Sequence, residues 1–314
     1  MLKITALAGG VGGAKLADGL ASGEVELTVV VNTGDDFEHF GLWISPDLDT
    51  VCYNLAGMED PKNGWGRREE SWETLNEIRT LRGPDWFQLG NRDLATHLER
   101  TRRLRAGEPL SEITAKFCRA WGVETQVLPM SDDPVSTMVA TGQGEISFQN
   151  YFVRLRCEPE VTGFRFADVD AARPTPGLLA EISASDLIVL CPSNPWVSID
   201  PILAVPGIRS ALLDKPVLAV SPIIGGQAVK GPAAKMYREM GLVPSASAVA
   251  VHYGELLDGF VIDKEDQALR AQIQEQSRHP LQVFVTDTWM EHRRDRIRTA
   301  EAVIEFGQQM IKED

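Results

Sequence analysis

The sequence Ile-Thr-Ala-Leu-Ala-Gly-Gly-Val-Gly-Gly-Ala-Lys-Leu-Ala-Asp-Gly-Leu, residues 4–20, decides the fold of this chain. Residues Ile4 to Ala8 predict a short buried strand, and Ala14 to Leu20 have the spacing of a helix that packs back onto it. Between them lies a tight turn of four glycines, Gly9, Gly10, Gly12 and Gly13. Backbone N–H groups at a helix N-terminus, with its partial positive charge, favour a phosphate. The stretch therefore predicts an anion site, to which Lys15 would add a charge.

The glycine run differs from the two best-known phosphate loops. A dinucleotide fingerprint that begins at Gly10 and Gly12 would require a third glycine where this chain has Lys15. A P-loop requires Ser or Thr after its Gly-Lys pair, and here Leu16 follows Lys15. The ligand is therefore open at this point, and close packing of helix on strand is the alternative explanation of the glycines.

Composition argues against a nucleic-acid partner. The 314 residues include 31 Lys and Arg against 45 Asp and Glu, a formal net charge of -14, whereas phosphate backbones are bound by concentrated Lys and Arg. No apolar stretch approaches the roughly 18 residues that span a bilayer, and no basic segment followed by an apolar run precedes the first strand. We expect a soluble cytoplasmic protein with no membrane partner.

Acidic residues cluster after the second predicted strand. Asp35 and Asp36 follow that strand, and Asp47 and Asp49 precede an apolar helix start at Val51. Neighbouring carboxylates repel each other unless solvent, a cation or a ligand donor compensates, and Mg²⁺ typically takes one or two of them. These positions predict a magnesium or nucleotide site, with an Asx turn at Asp35 and Asp36 as the structural alternative.

The segment 71–122 changes to a polar, helical pattern. We interpret it as a helical subdomain within a single α/β domain that spans residues 1–314. Inside it, Asp93, His97 and Arg100 share one helix face. The pattern favours a surface hydrogen bond and a solvated arginine face over a metal site or a phosphate clamp.

The remaining chain alternates between predicted strands and helices. A hairpin is expected from Thr137 to Thr141 with Glu145 to Leu155. Further elements are strands at Asp186 to Leu190, Pro216 to Val220, Ala248 to His252, Phe260 to Ile262 and Val283 to Val285, and a helix at Arg296 to Ile311. The alternation predicts a doubly wound, mostly parallel, Rossmann-like sheet with a helical insertion and a β-hairpin, and ligands bind such sheets at the carboxyl ends of the strands.

Two later strand ends carry small, polar and glycine residues. Ser193 and Asn194 follow one strand, and a loop containing Gly225, Gly226 and Lys230 follows the next. A second anion or base contact is the functional interpretation of this loop, and a flexible crossover is the structural one.

Seven motifs occur in order along the chain: Gly9 to Lys15, Asn32 to Asp36, Ser45 to Thr50, Arg92 to His97, Met130 to Val135, Pro192 to Pro195 and Ser221 to Gly226. Together they resemble the 2-phospho-L-lactate transferase family, which completes the core of the deazaflavin coenzyme F420. One departure is Asn91, where the family pattern leads us to expect an acidic residue.

The resemblance implies a phosphoryl-type transfer. A ribityl hydroxyl of the deazaflavin Fo would attack a phosphorus of a guanosine diphosphate-linked three-carbon acid, form a phosphodiester and release GMP. Such chemistry needs a phosphate cradle, a divalent cation and a carboxylate near the hydroxyl, with no protein nucleophile. By resemblance, Asp49 and Arg92 contact Fo, and Asp49 orients or deprotonates the hydroxyl.

The other candidate residues divide between donor and metal. The donor's phosphates are assigned to the Gly9 to Lys15 segment, and its guanosine side to Ser193, Asn194, Gly225, Gly226 and Lys230. Mg²⁺ is assigned to Asp35, Asp36 and Asp49. A homodimer is expected from the frequency of dimers among soluble enzymes.

Two other functions are open at this stage. Relatives of the family resemble nucleotide-sugar-binding metabolic regulators, and calorimetry with Fo against a uridine diphosphate sugar would separate the two. A nicotinamide dehydrogenase would be permitted by the first 36 residues, although Lys15 in place of the third glycine argues against it. The identity of the three-carbon acid is likewise open among phospholactate, its enolpyruvyl equivalent and phosphoglycerate.

Overall fold

The computed structural model describes the backbone of residues 1–313 and the side chains of residues 1–312. The first half of the chain contains β1 (Leu2–Ala8), α1 (Gly10–Ala21), β2 (Val25–Val31), β3 (Phe37–His39), β4 (Leu42–Ile44), α2 (Pro46–Leu55), α3 (Glu73–Thr80), α4 (Asn91–Arg105), α5 (Leu110–Ala120), β5 (Gln126–Pro129), β6 (Ser136–Thr141) and β7 (Gly144–Ser147). The second half contains β8 (Val161–Ala167), α6 (Leu178–Ala184), β9 (Leu187–Leu190), α7 (Asp200–Ala204), α8 (Ile208–Leu212), β10 (Val217–Val220), β11 (Ile223–Ile224), β12 (Gln227–Ala228), α9 (Ala233–Glu239), α10 (Ala246–Tyr253), β13 (Gly259–Asp263), α11 (Arg270–Gln276), β14 (Gln282–Thr286) and α12 (Arg293–Glu313).

A seven-stranded sheet forms the centre of the molecule. Its order is β14-β13-β10-β9-β1-β2-β5, and every neighbouring pair is parallel. The chain builds outward from β1 in one direction and from β9 in the other, so the order reverses between these two strands. The predicted doubly wound α/β sheet is confirmed, and its switch point lies where such folds bind ligands.

Apolar side chains cover both faces of this sheet. Leu7, Val30 and Leu190 belong to one buried cluster, whereas their chain neighbours Ala6 and Val29 belong to the other. Side chains of a strand alternate between faces, so strands buried on both sides require apolar residues at every position. This explains why β9, the segment Ala6–Ala8 of β1 and the segment Val29–Val31 of β2 are apolar without alternation.

Helix α1 begins earlier than the sequence indicated. The glycines do not form a separate turn, because Gly10, with φ of 60°, already starts the helix. A Cβ atom at Gly12 would overlap the carbonyl oxygen of Pro192, and one at Gly13 would lie 2.5 Å from Ser193 Oγ. The run therefore allows α1 to approach the loop after β9 more closely than any side chain would permit.

Helices α3, α4 and α5 occupy the segment that was predicted to be a helical subdomain, and the division of the chain into domains stays a prediction. Helix α4 packs against β4, and α5 packs against β5 at one edge of the sheet. The antiparallel pair β3 and β4 is joined to this segment by the contact of β4 with α4. The segment therefore borders both this small pair and β5 of the central sheet.

One predicted element and two predicted bounds were wrong. Residues 248–252 lie in α10 instead of a strand, because the Ser245 hydroxyl accepts a hydrogen bond from the Ala248 amide at 3.1 Å and caps the helix. The predicted hairpin is confirmed by the antiparallel pairing of β6 with β7, but β7 ends at Ser147 instead of running to Leu155. A helical turn, Asn150–Arg154, follows it, and β8 pairs with the other edge of β6. Helix α2 begins at Pro46, so Asp47 and Asp49 lie in its first turn.

Among the described residues, we find no helix whose length and apolar character would let it cross a bilayer.

Candidate active site

A cavity of about 770 Å³ opens at the carboxyl edge of the sheet, around the switch point between β1 and β9. Nine of the residues predicted for the site line it: Gly9, Gly10, Gly12, Lys15, Asp35, Asp49, Ser193, Asn194 and Lys230. Gly13, Asp36, Arg92, Gly225 and Gly226 lie outside this lining. The fold thus brings residues more than 180 positions apart to one cavity.

The Ser193 hydroxyl joins the two strands at the switch point. Its Oγ donates a hydrogen bond to the Gly9 carbonyl at 2.7 Å and accepts one from the Gly9 amide at 3.1 Å. Asn194 Oδ1 accepts from the Trp196 amide at 3.1 Å and caps the following turn. These bonds fix the loop after β9 against the start of α1.

Two buried carboxylates, Asp35 and Asp47, converge beside the first turn of α1. The Asn32 side-chain amide donates hydrogen bonds to both, at 2.9 Å for Asp47 Oδ2, and also contacts the Val197 carbonyl. The backbone N–H of Gly10 donates to Asp47. The helix dipole stabilises the Asp47 carboxylate at the N-terminus of α1. The shared Asn32 amide holds the Asp35 carboxylate beside it.

Burial and mutual repulsion disfavour the charged forms of this pair. Burial, followed by the neighbouring Asp47 and Asp36 carboxylates, raises the pKa of Asp35 well above its usual range, against the hydrogen bond from Asn32. Burial raises the pKa of Asp47 to about 6, although the Asn32 and Gly10 hydrogen bonds oppose the shift. Two such oxygen donors fit a hard divalent cation, which would offset their repulsion.

Asp36 has a separate set of partners. Its Oδ2 accepts hydrogen bonds from Ser45 Oγ at 2.6 Å and from Trp43 Nε1 at 3.1 Å, while Oδ1 is buried without a partner. Burial raises the pKa of Asp36 to about 8, against those hydrogen bonds and the charge of Arg100. The side-chain turn that closes β2 is made by Asn32, whose Oδ1 accepts from the Gly34 amide at 2.8 Å.

Asp49 is paired with a buried arginine. Arg100 Nη1 donates to Asp49 Oδ2 at 3.0 Å, and Nη2 donates to Oδ1. Arg100 is 2% exposed, so the predicted solvated arginine face is wrong at this position. Burial alone would lower the pKa of Arg100, but the Asp49 carboxylate more than offsets it and holds the pKa above its usual value. The pair is a charge-assisted fork.

His97 and Asp93 extend this network, and His97 is buried at 1% exposure, so the predicted surface position is wrong. His97 Nδ1 lies 3.2 Å from Arg100 Nη1, and Nε2 lies 3.4 Å from Asp93 Oδ2. Tyr53 Oη donates to Asp93 Oδ1 at 2.7 Å. Ligand atoms of Asp49, Asp93 and His97 lie within 4.8 Å of one another. All four of these non-arginine residues line the cavity.

Lys15 and Lys230 bring positive charge to the cavity. Lys15 Nζ donates to the Met290 carbonyl, and burial, followed by repulsion from Arg296 and Lys230, lowers its pKa. Lys230 Nζ donates to the Asn63 carbonyl at 2.5 Å. Both ammonium groups contact neutral carbonyls here and are available to anionic oxygens in the cavity.

The remaining predicted residues face elsewhere. Gly225 and Gly226, with φ of 55° and 74°, form the turn between β11 and β12, and the Gly225 amide donates to Asp266 at 3.1 Å. Arg92 is exposed and contacts Glu69 Oε2 at 3.3 Å.

Sequence reasoning missed the aromatic part of the lining and the role of Arg100. Aromatic side chains from separate segments line the cavity, and we call them the aromatic wall: Trp65, Trp86, Phe87, Phe148 and Phe152. Trp86 and Phe87 pack edge to face at 5.7 Å between ring centroids. These residues share no motif, so no sequence signal marked them. Arg100 did carry a signal, its shared face with Asp93 and His97.

The sequence of this chain is similar to those of several curated proteins. Curated relatives named phosphoenolpyruvate transferase include one from Streptomyces griseus, 46% identical over 275 residues, covering 84% of this chain and 86% of the relative. Another, from Thermobifida fusca, is 44% identical over 84% of this chain and 87% of its own. A third, from Mycobacterium ulcerans, is 44% identical over 85% of this chain and 89% of its own.

Solved structures agree with the fold. Two crystal structures of one Bacillus halodurans protein, described in one of them as a member of the UPF0052 family, superpose with TM-scores of 0.61 and 0.62. They are 14% and 17% identical, and each covers 96% of this chain and 98% or 99% of its own.

The family described as 2-phospho-L-lactate transferase CofD matches residues 4–303, which include the glycine run, the acidic cluster and both later loops of the cavity. With relatives of 44–46% identity covering most of the chain, the protein belongs to this family of transferases.

Proposed function

We propose that this protein transfers a phosphoenolpyruvyl or phospholactyl group from a guanosine diphosphate-linked donor to the ribityl hydroxyl of Fo and releases GMP. The single observation that carries the proposal is the composition of one cavity. A glycine-rich helix start, buried carboxylates and an aromatic wall line it together. These three features match an anionic donor, an attacking hydroxyl and a planar acceptor.

The donor's diphosphate is proposed to lie at the start of α1. Amides of the first helical turn have no intrahelical acceptors, and the glycines let phosphate oxygens approach them. Lys15 and Lys230 would exchange their carbonyl partners for these oxygens. Ser193 and Asn194, on the loop that meets α1, are proposed to contact the guanosine side.

The acceptor is proposed to lie between the aromatic wall and α2. The rings of Trp86, Phe87 and Phe152 offer flat apolar surface for a deazaflavin. Asp49 would receive the proton of the attacking hydroxyl as its oxygen bonds to the phosphorus. The bond from that phosphorus to the GMP oxygen breaks, and GMP leaves with the electron pair. Arg92, which lies outside the cavity lining, is a weaker candidate for an Fo contact than the sequence suggested.

Asp35 and Asp47 are the residues proposed to hold Mg²⁺. Both are buried and converge on the Asn32 amide. Burial raises the pKa of both, and the neighbouring carboxylates add to the shift of Asp35. Asp47 replaces two of the three residues assigned to Mg²⁺ from sequence, because Asp49 and Asp36 are already bonded by Arg100 and by Ser45. When bound, the cation would neutralise phosphate charge as it develops in the transfer.

The three-carbon acid is proposed to be enolpyruvyl. The support is the name shared by the relatives of 44–46% identity, each a phosphoenolpyruvate transferase. Phospholactyl is the alternative, because the family description names 2-phospho-L-lactate.

The test incubates the protein with Fo, Mg²⁺ and, separately, the enolpyruvyl, lactyl or glyceryl guanosine-diphosphate donor, and reads product mass. We expect the enolpyruvyl phosphodiester of Fo together with an equal amount of GMP. Absence of product from all three donors would contradict the proposal. In that case, calorimetry with Fo and a uridine diphosphate sugar would show whether the cavity serves a binding protein instead.

A further inference from the structure

Arg100 is buried beneath the cavity and outside its lining. Its guanidinium contacts both carboxylate oxygens of Asp49, which does line the cavity. A buried residue outside the lining acts on a bound ligand through its neighbours, and Arg100 holds a carboxylate that does line the cavity. Bidentate pairing restrains both rotation and translation of the carboxylate, which a single hydrogen bond does not.

The guanidinium is itself held from three sides. Arg100 Nη1 lies 3.2 Å from His97 Nδ1, and the guanidinium carbon lies 6.0 Å from the centre of the Phe117 ring. His97 Nδ1 also lies 3.6 Å from Asp49 Oδ2, and Nε2 lies 3.4 Å from Asp93 Oδ2. The His97 ring thus packs between the pair of Arg100 with Asp49 and the Asp93 carboxylate.

Three helices meet at this guanidinium. Asp49 comes from α2, Arg100 and His97 from α4, and Phe117 from α5. A second hydrogen bond joins α2 to α4, because Tyr53 Oη on α2 donates to Asp93 Oδ1 on α4 at 2.7 Å. The network links the helix that carries the acidic residues to the helical segment beside the sheet at two points.

Stability alone does not account for this arrangement. A buried ion pair recovers little net free energy after both charges lose their water, and apolar residues of similar volume are often as stabilising. Such pairs are best explained where they fix one geometry. The carboxylate fixed here is the one on which the proposed transfer depends.

We propose that Arg100 is a positioning residue of the transfer reaction, which holds the Asp49 carboxylate in the direction required by the attacking hydroxyl. The inference rests on the proposed function. It adds a requirement that the proposed function does not contain, namely that the fork geometry of arginine matters and not only its charge. Lysine keeps the charge without the fork.

The experiment compares Arg100→Lys with Arg102→Lys in the full chain. Arg102 lies on the same helix, is exposed and pairs only with Glu99 among the described residues. We expect Arg100→Lys to lower kcat by about tenfold or more, because small displacements of reacting groups cost about this much. The donor dissociation constant, measured by calorimetry, should stay within about twofold. Arg102→Lys should match the wild type in both.

A double variant separates positioning from a general structural role. If Arg100 acts through Asp49, then Asp49→Asn combined with Arg100→Lys should be no slower than Asp49→Asn alone. Losses that multiply would overturn the inference, as would a wild-type kcat in Arg100→Lys or an equal loss of donor affinity. Should Arg100→Lys fail to fold, Arg100→Gln decides, since its neutral amide leaves one donor group for Asp49 and removes the fork. A wild-type kcat in Arg100→Gln would overturn the inference.

Failure of the proposed function can be distinguished from failure of the positioning role. A wild-type chain that yields no Fo product contradicts the proposed function, and the positioning role falls with it. A wild-type chain that turns over, with an equally active Arg100→Lys, contradicts the positioning role alone.

Discussion

Asp47 and Asp49 lie two residues apart in the first turn of α2, yet their carboxylates have different partners. Asp47 shares the amide of Asn32 with Asp35, whereas Asp49 is held by Arg100. Residues two positions apart in a helix are separated by about 200° around its axis, so the two side chains point in different directions. Sequence spacing placed both near one site but could not separate a metal ligand from a candidate base.

Asp49→Asn tests the role of the base. The amide keeps the size of the side chain but cannot take the proton of the attacking hydroxyl, so kcat should fall by about 10²-fold or more. Donor binding by calorimetry should be unchanged. Asp132→Asn, at a half-buried turn outside the cavity lining, is the control and should keep full turnover.

Lys15→Met tests the anion site on α1. Methionine keeps much of the apolar stem and removes the charge, so we expect the donor dissociation constant to rise by about tenfold, the effect of one charged hydrogen bond. Lys116→Met, on the outer surface of α5, is the control. An unchanged donor affinity in Lys15→Met would return the glycine run to a packing role alone.

At the scale of the elements, the contact between α1 and the loop after β9 carries most of the site. Glycine at position 12 is required by the Pro192 carbonyl, which occupies the space of a Cβ atom. This is a close-approach requirement, and it coexists with the proposed phosphate contact. The two explanations of the glycines that the sequence left open are therefore not exclusive.

Gly12→Ala measures that requirement. The added methyl group must push α1 away from Pro192, and overpacking of this kind costs about 1–3 kcal/mol in the free energy of unfolding. Gly142→Ala is the matched control, because nothing lies within 4 Å of its Cβ position. Urea unfolding measures both variants, and equal midpoints would contradict the close approach described here.

The sequence predicted the sheet well because apolar runs between glycine and acidic turns mark buried parallel strands. It failed at residues 248–252, where an apolar segment of strand length is helical, since only the Ser245 cap and the packing of α10 decide between the two. It also failed at Arg100, because a charged helix face looks the same whether solvent or Asp49 lies opposite it. Long-range partners are not encoded in local spacing.

At the scale of the whole molecule, net charge and local charge differ. The chain carries a formal charge of -14, yet its cavity presents Lys15, Lys62, Lys230 and Arg156 beside the acidic pair. The proposed anionic donor would therefore enter against the overall field and bind through these local positive charges. Raised ionic strength should weaken that long-range repulsion more than the contacts inside the cavity.

Proton competition gives a prediction for Mg²⁺. Carboxylates bind the cation only when ionised, and burial raises the pKa of Asp47 to about 6 and that of Asp35 well above its usual range. Protons therefore occupy the pair below these pKa values and leave as the pH rises. Mg²⁺ should raise the Tm by a few degrees at about pH 8 and by much less at about pH 5.

Scanning calorimetry with and without Mg²⁺ at both pH values measures this difference. Asp47→Asn should abolish the extra rise at the higher pH, whereas Asp132→Asn should retain it. A rise that is equal at both pH values would contradict assignment of the cation to this pair.

The packing of α1 has a consequence for the order in which the protein folds during synthesis. Lys15 bonds to Met290, Asp18 pairs with Arg296 at 3.0 Å, and β1 needs β9 as a neighbour. The first helix thus leaves the ribosome long before its partners exist, and must wait through most of translation with an apolar face uncovered. Nascent chains released before residue 296 should therefore depend on chaperones, however well their first half is formed.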